Sequence, residues 1–121
     1  NFSSHVKLGQ NEKFVMVDSG SFCHAIDAET ELPTHSISPV SNSEGKGDGE
    51  AACGSVIKRL GKVKTRGSVE GVPLNVHWNA MKVKVPILSV RRLVHDQHSV
   101  RFNHDGGYIR NLHTRQKNPF L

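Results

Sequence analysis

Apolar and polar positions alternate with a period of two through much of the second half of the chain. Leu74-Asn75-Val76-His77-Trp78 and Met81-Lys82-Val83-Lys84-Val85 both show it, which is the pattern of a strand with one buried face. Pro86 ends the second of these segments. Val63 alternates with Lys62, Lys64 and Arg66, and Val100 and Phe102 flank Arg101, so these stretches also read as strands. Gly67 and Gly71 mark turns. Asn103-His104-Asp105-Gly106-Gly107 is a hairpin turn from which the chain returns through Tyr108-Ile109. Over Ile87–Val94 the period changes. Val90, Leu93 and Val94 fall on one helical face, and Ser89 stands where a helix N-cap belongs.

The first half is less regular. Val6 and Leu8 alternate as a short edge strand. Phe14-Val15-Met16-Val17 is an unbroken apolar run, read as a buried strand, and it runs straight into Asp18-Ser19-Gly20-Ser21. Phe22–Ile26 reads as a second short strand or a helical turn, and the stretch from Asp27 to Leu32 is acidic. Residues 36–50 read as a flexible surface loop, since residues 41–49 contain no apolar side chain. The flanks look ordered, so the loop is an insertion rather than a domain boundary. Thr114–Leu121 reads as a tail. Six to eight short strands, tight turns and one short helix predict a small all-β domain, built as a partly closed barrel.

A length of 121 residues suits one domain with a modest core. No apolar run approaches a membrane span, so a soluble protein is expected. The chain opens on Asn1 without a signal-like apolar stretch, as a processed product, a precursor segment or an incomplete N-terminus would. The two cysteines, Cys23 and Cys53, do not make a disulfide framework and read as free thiols of an intracellular protein. Eight histidines raise the question of a metal. His95-x-x-His98 has a spacing that suits a helix face but no third ligand at a fixed offset, so neither a metal nor a cofactor is expected.

Charge is unevenly divided. Residues 1–50 carry three Lys/Arg and eight Asp/Glu, a net −5, whereas residues 51–121 carry thirteen and three, a net +10. A basic C-terminal half attracts nucleic acid, an anionic membrane or an acidic protein. Only seven aromatic residues are present in the whole chain, which argues against a stacking platform for single strands.

Asp18-Ser19-Gly20 alone is an ordinary turn sequence. The ordered set is more specific: the apolar strand into Asp18-Ser19-Gly20-Ser21 with His24 beyond it, then Ala52-Cys53-Gly54-Ser55-Val56-Ile57 with Gly61, then Val85-Pro86-Ile87-Leu88-Ser89-Val90-Arg91-Arg92-Leu93, then Val100-Arg101-Phe102 and Gly106-Gly107-Tyr108-Ile109. Over residues 13–110 this set resembles the retropepsin-like aspartic proteases, and within them the copia-type retrotransposon branch. The resemblance implies a retropepsin-type barrel over residues 13–110, preceded by an N-terminal arm (1–12) and followed by a C-terminal tail (111–121). It implies a homodimer whose two Asp18 carboxylates share a proton and activate a water, with Ser19 bonding across the dyad and the Gly20 amide supporting the carboxylate. The segment Ala52–Leu60 becomes a flap with Gly54 near its tip. Cys53, Gly54, Ser55, Ile57, Ile87 and Leu88 become contacts for an extended peptide, although Ile57, Ile87 and Leu88 read equally well as core.

Three functions follow. The first is a dimeric aspartic endopeptidase acting on a peptide or its own polyprotein. The second is a catalytically silent domain of the same type, serving as an accessory subunit in a larger assembly through its basic half. The third is an unrelated basic β-barrel that binds nucleic acid through Lys58, Arg59, Lys62, Lys64 and Arg66.

Overall fold

The computed structural model describes residues 2–8, 11–39, 49–50 and 56–121. In chain order the elements are β1 (Phe2–Leu8), β2 (Asn11–Asp18), β3 (Ala25–Ile26), α1 (Ala28–Glu31), β4 (Gly49–Glu50), β5 (Val56–Ile57), β6 (Arg59–Val69), β7 (Val72–Met81), β8 (Ile87–Ser89), α2 (Val90–His95), β9 (His98–Asn103), β10 (Gly106–Asn111) and β11 (Lys117–Phe120).

Alternation sets the two long strands. In β6, Val63, Thr65 and Val69 point inward while Lys62, Lys64 and Arg66 point out. In β7, Leu74, Val76, Trp78 and Ala80 are buried and Asn75 and His77 are exposed. The two pair antiparallel from Arg59–Met81 to Val69–Val72, with a bulge between Arg59 and Gly61. The turn between them needs positive φ at both central residues, and Glu70 (49°) and Gly71 (80°) supply it. Gly67, read as a turn, lies inside β6 instead. The expected strand Met81–Val85 is also corrected, because β7 ends at Met81 and residues 82–86 belong to no strand.

Six strands pair in the order β1-β2-β8-β3-β7-β6, and β6 meets β1 again through two residue pairs, Lys7–Ser68 and Leu8–Gly67. Most of these pairings are antiparallel, but β2 with β8 and β3 with β7 are parallel. The inward faces supply the core, in which Trp78, Ile26, Leu88, Val6 and Val15 are essentially fully buried. Trp78 keeps its indole N–H satisfied by donating to Thr65 Oγ1 at 2.7 Å. The run Phe14–Val17 is buried on one side only: Val15 and Val17 enter the core, whereas Phe14 is exposed and packs edge-on against His5. β1 is not an edge strand, since β2 flanks it along its length and β6 meets its end.

The remaining strands stand outside this sheet. β9, β10 and β11 form a separate three-stranded sheet, and β4 and β5 a two-stranded one. The expectation of a single, small, partly closed retropepsin-type β-barrel with one helix is therefore corrected. Among the described residues the strands divide among three sheets, the largest is of mixed direction, and there are two short helices. The helix that the sequence pattern does not predict, α1, is a single turn of four residues. Its sequence signal is Asp27, whose side chain caps it by accepting from Thr30 N–H. The helix read after Ser89 is α2, and Ser89 caps it as expected. By turning the chain out of the large sheet after β8, α2 leaves β9–β11 to pair with one another.

Within the stretch read as a tail, β11 pairs with β10 and buries Phe120. Leu121 exchanges two backbone hydrogen bonds with Ser3, at 2.6 and 2.8 Å. Residues 40–48, most of the expected flexible loop, lie outside the described residues. Ahead of them, Ser38 bridges to Lys62.

Candidate functional site

Asp18 is the last residue of β2. Its parallel neighbour, β8, brings Ser89 into register with it, after the pairs Met16–Ile87 and Val17–Leu88. Both strands leave the sheet at the same edge, so the turn Ser19-Gly20 and the start of α2 lie side by side. Asp18 is half-buried, and Ser19 and Gly20 are exposed. The Gly20 N–H donates to Asp18 Oδ1 at 2.7 Å. A charge-assisted bond of this length fixes the carboxylate rotamer.

A buried layer supports this turn. Ser89 is inaccessible to solvent; its hydroxyl donates to the Ser21 carbonyl at 2.6 Å and accepts from Arg92 N–H at 3.1 Å. The Ser89 backbone N–H donates to His24 Nδ1 at 3.0 Å. His24 is only 5% exposed, and its carbonyl accepts from the backbone N–H of Asn79 at 2.8 Å and from Asn79 Nδ2 at 3.0 Å. Because Nδ1 accepts, the imidazole is neutral with its proton on Nε2. Burial is the main cause that lowers the His24 pKa to about 4; Asp96 opposes the shift, and the positive charge of Arg92, His98 and His77 adds to it.

Asp18 opens on a cleft of about 570 Å³ lined by Phe2, Met16, Val17, Ser19 and Phe102. Phe2 and Phe102 pack with ring centroids 4.9 Å apart, and both touch Phe120. The aromatic wall thus joins β1, β9 and β11 beside the carboxylate. The site combines one oriented carboxylate with a cleft of mixed polar and aromatic lining, in which a carboxylate can accept or donate a proton.

The other residues singled out from the sequence are scattered. Leu88 is fully buried in the core, where it packs and lines no cleft. Ile57 and Ile87 are half-buried, on β5 and β8. Cys53, Gly54 and Ser55 lie outside the described residues, between β4 and β5, which pair antiparallel. Cys23 is half-buried with a free thiol, and burial raises its pKa. His95 ends α2 and His98 opens β9, so the pair shares no helix face. Among the described residues no group of His, Cys, Asp and Glu is arranged to hold a metal, and no helix is long and apolar enough to cross a membrane. Lys62, Lys64 and Arg66 share the outer face of β6, opposite Asn79, His77 and Asn75.

Sequence reasoning gave Asn79 no role, and an amide next to a tryptophan in an alternating strand offers no signal for one. His24 stood out only as part of a motif; its bond to Ser89 N–H explains why an imidazole is there. No protein-family model and no curated protein matches the chain.

Proposed function

We propose that the chain is an aspartic endopeptidase of the retroelement type, acting as a homodimer to which each copy contributes one Asp18. The observation that carries this reading is the placement of Asp18: at the end of a core strand, oriented by the Gly20 N–H at 2.7 Å, and facing a cleft that Phe2 and Phe102 also line. One copy offers a single such carboxylate, and the chemistry needs two. Two carboxylates brought together across a two-fold axis do not both ionise readily and share one proton. The ionised one takes a proton from a water held between them. That water attacks the scissile carbonyl carbon while the protonated partner donates to the carbonyl oxygen. Ser19 bonds across the dyad. An extended peptide pairs its backbone with exposed strand edges, and Ile57 and Ile87 contact it.

The test is cleavage of a mixed peptide library between about pH 4 and pH 7, comparing the chain with Asp18→Asn. Cleavage lost in Asp18→Asn and blocked by a statine-type inhibitor is the expected result. Equal, negligible activity from both chains, folded and dimeric, overturns the reading in favour of a catalytically silent accessory subunit.

A further inference from the structure

Away from Asp18, cations gather on the outer face of the β6–β7 hairpin. Lys62, Lys64 and Arg66 alternate with the buried Val63 and Thr65, so all three point to the same side of β6, and all three are exposed. Asn79, His77 and Asn75 stand opposite them on β7. Among the described residues none of the three cations takes part in an ion pair, whereas Lys13, Lys82 and Arg92 are each held by a carboxylate. The only acidic residue between Arg59 and Met81 is Glu70, in the turn at the far end of the hairpin. The stripe is therefore an uncompensated line of positive charge, an arrangement that attracts an anionic partner.

A cavity on the same face gives an independent observation. Ser38 exchanges two backbone hydrogen bonds with Lys62, both 2.8 Å long, which lays residues 35–38 beside the stripe. Between them lies a cavity of about 420 Å³ lined by His35, Ser36, Ser38, Lys62, Lys64 and His77, with Val63 its one apolar member. No carboxylate lines it. Ammonium groups, hydroxyls and imidazoles are the donors that hold phosphate oxygens. From there the stripe continues to Arg66. Alternate residues on a strand are about 7 Å apart, so it runs about 13 Å in all. A nucleic-acid duplex presents a phosphate about every 3.4 Å along each strand, so each of the three cations meets one. The outward positions carry no Phe, Tyr or Trp on which the bases of a single strand stack. They carry no large apolar side chain to anchor a folded protein either.

We propose that the outer face of β6 and β7 binds the phosphate backbone of a nucleic-acid duplex, with the cavity at Lys62 and Lys64 as its anchor and Arg66 extending it. Backbone contacts carry no sequence information, so the binding is independent of sequence. The face shares no residue with the cleft at Asp18, and the proposal stands whether or not Asp18 is catalytic.

The experiment titrates a labelled twenty-base-pair DNA duplex with the full chain, read by fluorescence anisotropy between about 50 and 200 mM salt. Three phosphate contacts predict a slope of about −2.7 in log K against log salt, which is about 40-fold weaker binding across that range. Lys62→Gln combined with Lys64→Gln changes two exposed side chains, so the fold is expected to survive, as urea unfolding checks. This double variant should bind at least about ten-fold more weakly at low salt, with a slope near −0.9. Lys82→Gln combined with Lys117→Gln removes the same charge from a lysine paired with Glu29 and one stacked over Tyr108. That pair should leave the affinity within about two-fold of wild type. Asp18→Asn should bind at least as tightly as the wild-type chain, and the presence or absence of peptide cleavage has no bearing on these outcomes. No binding at about 50 mM salt, an unchanged slope in the Lys62/Lys64 variant, or an equal loss in both double variants overturns the proposal. So does tighter binding of a single strand than of the duplex. Displacement of the duplex by a Glu decapeptide at equal charge concentration overturns it too, since the face would then serve an acidic protein.

Discussion

Lowering the pH from 7 to 4 tests the buried His24 directly. In the folded chain the ring is 5% exposed, accepts the Ser89 N–H at Nδ1, and has its pKa lowered from 6.5 to about 4. The groups that act on it are Asp96, which raises the value, and Arg92, His98 and His77, which lower it along with burial. A group whose folded pKa lies below its unfolded pKa binds its proton more tightly in the unfolded chain. For a histidine this means that stability is full above about pH 6.5 and falls as pH falls toward 4, after which this group contributes no further slope. The linkage gives a loss of about 2 kcal/mol at pH 5 and about 3 kcal/mol at pH 4. Urea unfolding at pH 7.5, 6, 5 and 4.5 measures it, with His24→Asn as the reference that keeps an acceptor but does not titrate. The other histidines and the carboxylates titrate in both chains, so the difference between the two curves isolates His24. The gap between wild type and variant should change by about 2 kcal/mol between pH 7.5 and pH 5, the wild type losing more. Parallel curves, or an NMR titration of the His24 ring with a midpoint near 6.5, refute the buried-neutral account.

Two further predictions follow from single contacts. Ser89→Ala removes the cap of α2 and leaves the Ser21 carbonyl without its 2.6 Å partner; the expected cost is about 2–3 kcal/mol in urea unfolding, and a cost within experimental error of zero would show that the hydroxyl network is not formed in solution. Gly107→Ala places a Cβ against the Arg101 carbonyl across the β9–β10 pair, with the Phe120 ring 2.8 Å away; neither backbone can yield cheaply, so a loss of about 3 kcal/mol is expected, and wild-type stability would mean that the two strands are not packed as described.

The strands that alternate in the sequence are the ones that reappear in the structure, because each buries one face: Val63 and Thr65 on β6, Val76 and Trp78 on β7. Ser89 was legible as a cap for the same local reason. What depends on long-range pairing was not legible. Nothing in Val6 or Leu8 indicates that β1 has neighbours on both sides, and nothing in Lys117–Phe120 marks a strand that buries a phenylalanine. Met81–Val85 shows the converse failure. Its alternation is as clean as that of Leu74–Trp78, yet the strand stops at Met81 and residues 82–86 lie outside the sheet. For the site, Asp18-Ser19-Gly20 was visible as a turn after an apolar strand. The support from His24, Ser89 and Asn79 was not, since it joins three segments up to 65 residues apart.

That support also explains why a serine suits position 89. At the start of a helix, Ser and Gly are both acceptable caps, but only serine also brings a donor for the Ser21 carbonyl. The hydroxyl thus ties the turn after Asp18 to the first turn of α2, while the backbone N–H of the same residue ties it to His24. Asp18 is paired in register with Ser89, so a displacement of either reaches the other through the β2–β8 ladder. Of the bonds in this network, only the one from Ser89 N–H to His24 Nδ1 needs a neutral imidazole. A pair of acidic side chains sharing a proton works at acid pH, where a histidine of ordinary pKa would be charged and would lose its acceptor. Burial that holds His24 down to about 4 keeps the network intact through that range. The same burial lowers the stability of the folded chain as pH falls toward 4, so the bond persists in acid only as long as the fold does.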